Sequence, residues 1–122
     1  MRVTVTGETE LVISPAAEGL EIEEEGEGHF GPLEMLAASL GICTVSVLYL
    51  WAEQAALPTE KLEVVVRWNY VDGPYRVGRY EVTILWPGLA EKRREAALRV
   101  AVKCTVHNTL VHPPAVELRV AG

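Results

Sequence analysis

Two cysteines and three histidines carry most of the reactive chemistry available to this 122-residue chain. Cys43 stands inside "SLGICTVSVLYLW" (39–51), in a stretch with no charged residue from Met35 to Ala52. Cys104 opens "CTVHNTLVHPP", with His107 three residues on and His112 eight residues on. A thiolate is a nucleophile, a metal ligand and one half of a disulfide. The plainer alternative is a small buried hydrophobe, since free cysteine is among the most buried residue types. Cys104, His107 and His112, joined by Cys43 or His29, would make a metal set. Zinc sites favour paired short spacings, which are missing here, so no metal and no cofactor are expected. His107 then reads as a polar neighbour of the thiols or a surface residue.

The elements around the cysteines decide between these readings. "MRVTVTGETELVIS" alternates as two short strands, Val3–Thr6 and Leu11–Ser14, about a Gly7 turn. Leu20–Glu24 is a third. Pro32 suits the first turn of a helix, and Pro58 stops one, so the spacing predicts a helix over 32–57. "KLEVVVRWNYVDGPY" and "VGRYEVTILW" form a hairpin around Asp72-Gly73. A second helix runs from Leu89 to about Lys103, with Ala97, Val100, Ala101 and Cys104 on its apolar stripe. "CTVHNTLVHPP" is a short helical or turn segment, and "AVELRVA" (115–121) a closing strand. The class is α+β, in one domain spanning residues 1–122.

Composition narrows the function. The formal net charge of −6 argues against nucleic acid as a partner. Six of the acids fall in "EGLEIEEEGE" (18–27), a solvated edge strand or loop. The amino terminus shows no apolar segment of the export type, and two cysteines without an export signal point to a reducing cytoplasm. Arg outnumbers Lys 8 to 3 and Asn plus Gln total 3, a weak sign of heat adaptation.

The charge-free stretch of 18 residues is near the lower limit for a membrane span. Ser39, Thr44 and Ser46 dilute it, and Glu34 and Glu53 flank it where basic anchors would be expected. No membrane is therefore expected. A helix apolar all round is a helix enclosed all round. One small chain can hardly enclose it, so a second subunit is expected to, in a homodimer. Cys43 and Cys104 both belong to inward faces of a one-core domain, and two such cysteines are expected to meet as a redox pair.

"GPLEMLAASLGICTVSVLYLWAEQAALP" resembles the central helix of the OsmC/Ohr family, where a proline, an acid and Leu/Ala positions precede a cysteine. "KCTVHNTL" resembles the family's second motif, usually Cys-Pro-Val and then a small or polar run. The two cysteines stand 61 residues apart, and the order of elements matches over nearly the whole chain. The resemblance implies antiparallel sheets around a long buried central helix, in an intertwined homodimer with sites at the interface. It implies an organic hydroperoxide reductase of oxidative stress defence, with Cys43 attacking the peroxide and Cys104 resolving. A small thiol or a dithiol would restore the enzyme. Leu33, Leu36, Leu40 and His107 are the expected walls of a pocket for a small apolar hydroperoxide. The alternative is a non-catalytic dimeric domain that binds a small ligand or senses redox state.

The sequence departs from the peroxidatic pattern at one place. Those members carry a Glu directly after the helix-opening proline, paired with an Arg near the amino terminus. Here Leu33 follows Pro32 and the acid is Glu34. Nine residues separate Glu34 from Cys43, a rotation of roughly 180° on a straight helix. The chain is more similar to OsmC-like branches whose acid takes this later place. Arg2 is the candidate partner by position; Arg67, Arg76 and Arg79 read as a solvated hairpin face. Burial raises a thiol's pKa, so Cys43 is expected to be protonated near neutrality unless a cation reaches it, or unless Gly41 breaks the helix to give Cys43 a fresh amino terminus.

Overall fold

Val3, Val5, Leu11 and Ile13 alternate with more exposed residues, and all four are fully buried. The computed structural model, which describes residues 1–15 and 18–122, places them on the core face of β1 (Arg2–Gly7) and β2 (Glu10–Ser14), an antiparallel pair. β3 (Glu21–Glu24) is exposed along its length, as its acids require at a sheet edge. β4 (Glu63–Val71) and β5 (Arg76–Leu85) form the long hairpin, turning where Gly73 adopts φ 74°. The five strands make one sheet in the order β3-β1-β2-β4-β5. It is mixed: β3 lies beyond β1 from β2, and there it runs parallel to β1.

α1 (Pro32–Gln54) lies across β2 and β4. Ala37, Leu40, Thr44, Val45, Leu48 and Ala52 form its buried face. Gly41 is what lets it lie so close. A Cβ there would meet Ile13 Cγ1 at 2.5 Å and Val66 Cγ2 at 3.1 Å. Gly41 therefore serves close approach, and α1 passes through it unbroken. The helix stops at Gln54, before Leu57. Ala56 takes φ 53°, and the Leu57 N–H turns back to the Ala52 carbonyl at 2.8 Å. By length and composition α1 could cross a membrane, but its buried face rests on the sheet. The opposite face is open, with Met35 54% and Leu50 60% exposed. Enclosure on all sides is thus not met within one chain.

After β5 a 3-10 turn (Glu91–Arg93) leads into α2 (Arg94–Ala101), shorter than the helix expected to reach Lys103. Its Ala97 is buried, and Val100 and Ala101 pack against the same core. The chain then turns at Cys104 into α3 (Thr105–Val111). The strand expected at 115–121 is not formed. Val116, Leu118 and Val120 are 80%, 93% and 102% exposed. The alternating pattern is present, but a strand exists only against a neighbour, and among the described residues no strand pairs with it.

Candidate active site

Cys43 sits in the middle of α1, and Cys104 at the amino-terminal cap of α3. Both helices pack together, and this brings the two thiols within hydrogen-bonding reach of each other. Both are free; Cys43 is half-buried and Cys104 fully buried. The geometry around Cys104 follows from its cap position. Its Sγ accepts the His107 N–H at 3.3 Å, satisfying one of the orphan donors of α3. The next residue, Thr105, places its Oγ1 3.7 Å from Cys43 Sγ.

These contacts split the two thiols electrostatically. At Cys43 burial works against the thiolate. Hydrogen bonds from the Cys104 thiol, the Val106 N–H and the hydroxyl and N–H of Thr105 outweigh it, and the pKa falls below the ordinary thiol value. At Cys104 burial acts first, and the hydrogen bond with Cys43 adds to it. Together they raise that thiol despite donation from the N–H groups of His107 and Val106. Of the two thiols, Cys43 is thus the easier to deprotonate and Cys104 the harder.

The activating groups differ from those expected. Among the described residues, no arginine contributes to the Cys43 shift within one chain. Arg2 is held at β1 by Glu21 at 3.2 Å and Glu23 at 3.7 Å. Arg67 pairs with Glu10 and Arg79 with Glu81, while Arg76 donates to the carbonyls of Asp72 and Pro74. Glu34 is 4% exposed. Its Oε1 accepts the Gly31 N–H at 2.9 Å and lies 3.6 Å from His29 Nε2. Its carboxylate is thereby committed to the start of α1. The donors at Cys43 are instead the Cys104 thiol, the N–H groups of Thr105 and Val106 and the Thr105 hydroxyl, of which the groups of residues 105 and 106 are not expected from the sequence. The signal for them was a Cys-Thr pair opening a short helical segment, an ordinary cap arrangement.

Of the expected pocket walls, Leu40 and His107 line one cleft of about 530 Å³, together with Val77, Tyr80, Val82 and Leu110. Leu40 is three residues before Cys43, and His107 is the residue whose N–H meets Cys104. Arg79 lines the cleft as well, and neither cysteine is among its walls. Leu33 is half-buried and Leu36 38% exposed, and neither lines it. His29 and His112 are exposed. Among the described residues, no three His, Cys, Asp or Glu side chains gather as a metal set would.

Comparison with known proteins agrees with this architecture. A crystal structure from Psychrobacter arcticus 273-4, of a protein named for osmotic stress induction and a detoxification response, superposes with a TM-score of 0.62. The match covers 88% of this chain and 84% of that one at 22% identity, which speaks to the fold. No curated protein matches the sequence. The sequence model of OsmC-like proteins matches residues 24–119, a span holding both cysteines and all three helices, and the chain belongs to the OsmC-like family.

Proposed function

We propose that the protein reduces organic hydroperoxides at Cys43 and acts in oxidative stress defence in a reducing cytoplasm. The observation that carries this reading is the meeting of two free cysteines where α1 packs on the start of α3, with Cys43 Sγ 3.7 Å from Thr105 Oγ1 and Cys104 Sγ capping α3. The Cys43 thiolate attacks the terminal peroxide oxygen of ROOH. The O–O bond breaks, Cys43 becomes a sulfenic acid, and the alkoxide takes up a proton to leave as ROH. The Cys104 sulfur then attacks the sulfenic sulfur, a disulfide forms, and water departs with the sulfenic oxygen and the Cys104 proton. A small thiol or a dithiol returns the pair to two thiols and is itself oxidised. The cleft walls formed by Leu40, Val77, Val82 and Leu110 suit an alkyl or aryl group.

The working unit in this reading is a homodimer. Its support is the apolar surface one chain leaves open: Met35, Leu36, Tyr49 and Leu50 on α1, and Val116, Leu118 and Val120 on the tail. β5 is a free sheet edge. Turnover of cumene hydroperoxide with dithiothreitol or dihydrolipoamide tests the chemistry. Wild type should turn over, Cys43→Ser should not, and Cys104→Ser should react once and stall. Equal activity of wild type and Cys43→Ser would end the proposal.

A further inference from the structure

Five Ser and Thr side chains lie on α1 and α3. Four of them are spent inside their own helix. Ser39 donates to the Leu36 carbonyl, Thr44 to Leu40, Ser46 to Ile42 and Thr109 to Thr105, each at 2.8 Å. Such back-bonding needs a carbonyl three or four residues earlier in the same helix. Thr105 is the first residue of α3, so it has no earlier turn to bond. Its hydroxyl crosses to α1 instead and lies 3.7 Å from Cys43 Sγ. Nothing in α3 demands a hydroxyl at this position. The helix is capped by the Cys104 sulfur, which takes the His107 N–H. Cys104, at φ −56° and ψ 125°, has the extended conformation that even a following proline would accept.

We propose that Thr105 activates Cys43, its hydroxyl donating to the Cys43 thiolate and so making Cys43, and not Cys104, the thiol that attacks. Attack on a hydroperoxide rests on the peroxidase reading; the donation rests on the contact. A hydroxyl suits both states of its partner. It accepts from the Cys43 thiol, and when that proton leaves it turns to donate to the anion. The second arrangement is charge-assisted and the stronger, so the contact favours ionisation. The pKa directions agree. Burial works against the Cys43 thiolate, and the Cys104 thiol, the Val106 N–H and the Thr105 hydroxyl overcome it. Cys104 has burial and Cys43 against it, and is raised.

The test is the rate of Cys43 alkylation by iodoacetamide on the full chain from pH 5 to 10, read by mass spectrometry for wild type, Thr105→Val and Thr105→Ser. Thr105→Val keeps the volume and removes the donor. It should react about two- to threefold slower than wild type below both midpoints and about two- to threefold faster above them, having fewer thiolates, each more nucleophilic. Thr105→Ser keeps the donor and should follow wild type. Thr105→Ala, which removes the donor without a branched side chain, replaces the valine variant if that one fails to fold, and should shift the profile the same way. The inference is overturned if removing the hydroxyl leaves the profile unchanged, if it slows the reaction equally at every pH, or if serine departs from wild type as far as valine does. Iodoacetamide probes the thiolate without a peroxide, so these outcomes are separate from the fate of the peroxidase reading, which hydroperoxide turnover decides.

Discussion

Replacing Cys104 with alanine should slow Cys43 at neutral pH and hasten it at high pH. Among the groups that lower the Cys43 pKa, the Cys104 thiol ranks first. A hydrogen bond to an anion contributes about 1.5–3 kcal/mol, and a thiol is a weak donor, so the low end of that range is apt. Losing it reduces the thiolate fraction about tenfold at a pH below both midpoints. The more basic thiolate is also the better nucleophile, and with a Brønsted coefficient near ~0.45 it recovers about threefold. The net effect is about threefold slower alkylation by iodoacetamide at low pH and about threefold faster alkylation at high pH. The two rate profiles should cross. The assay is the rate of single-site alkylation from pH 5 to 10, read by mass spectrometry. Cys104→Ser, which keeps a donor, should fall between wild type and Cys104→Ala. Uniform slowing at every pH would mean that Cys104 acts only by packing, and the electrostatic argument would be refuted.

Gly41→Ala should destabilise the fold by about 1–3 kcal/mol, because the new Cβ meets Ile13 Cγ1 at 2.5 Å; a melting temperature equal to wild type would show that α1 does not press on the sheet as described. Sedimentation should give about twice 13.4 kDa. Deleting residues 115–122 should shift the protein toward monomer, and a truncated chain that stays fully dimeric would exclude the tail from the interface.

Much of the architecture was legible because it depends on neighbours in sequence. Pro32 at the head of α1, the two-residue alternation of Val3, Val5, Leu11 and Ile13, and the turn at Gly73 are local facts, and the elements fall where they point. The failures lie where the deciding partner is distant in the chain. The alternation at Val116, Leu118 and Val120 reads as a strand, yet pairing is not a property of the segment alone. From its own helix Gly41 offers only the alternative of a break in α1, and its role appears only with Ile13 and Val66 pressed against it. The state of Cys43 shows the same limit. Along its own helix it is a buried thiol far from the amino terminus. Its donors come from Cys104, Thr105 and Val106, some sixty residues on. The meeting of the cysteines could be anticipated from their inward faces, but the sign of their effect on each other required the cap geometry of α3.

The central claim is that Cys43 and Cys104 act as a single two-electron pair toward a hydroperoxide. Treating reduced protein with one equivalent of cumene hydroperoxide, then counting free thiols and mapping peptides under denaturing conditions, tests it directly. The account predicts rapid loss of two thiols per chain and one disulfide joining Cys43 to Cys104 within the same chain. Thiols left unchanged, or Cys43 oxidised to its sulfinic acid with Cys104 still free, would contradict it.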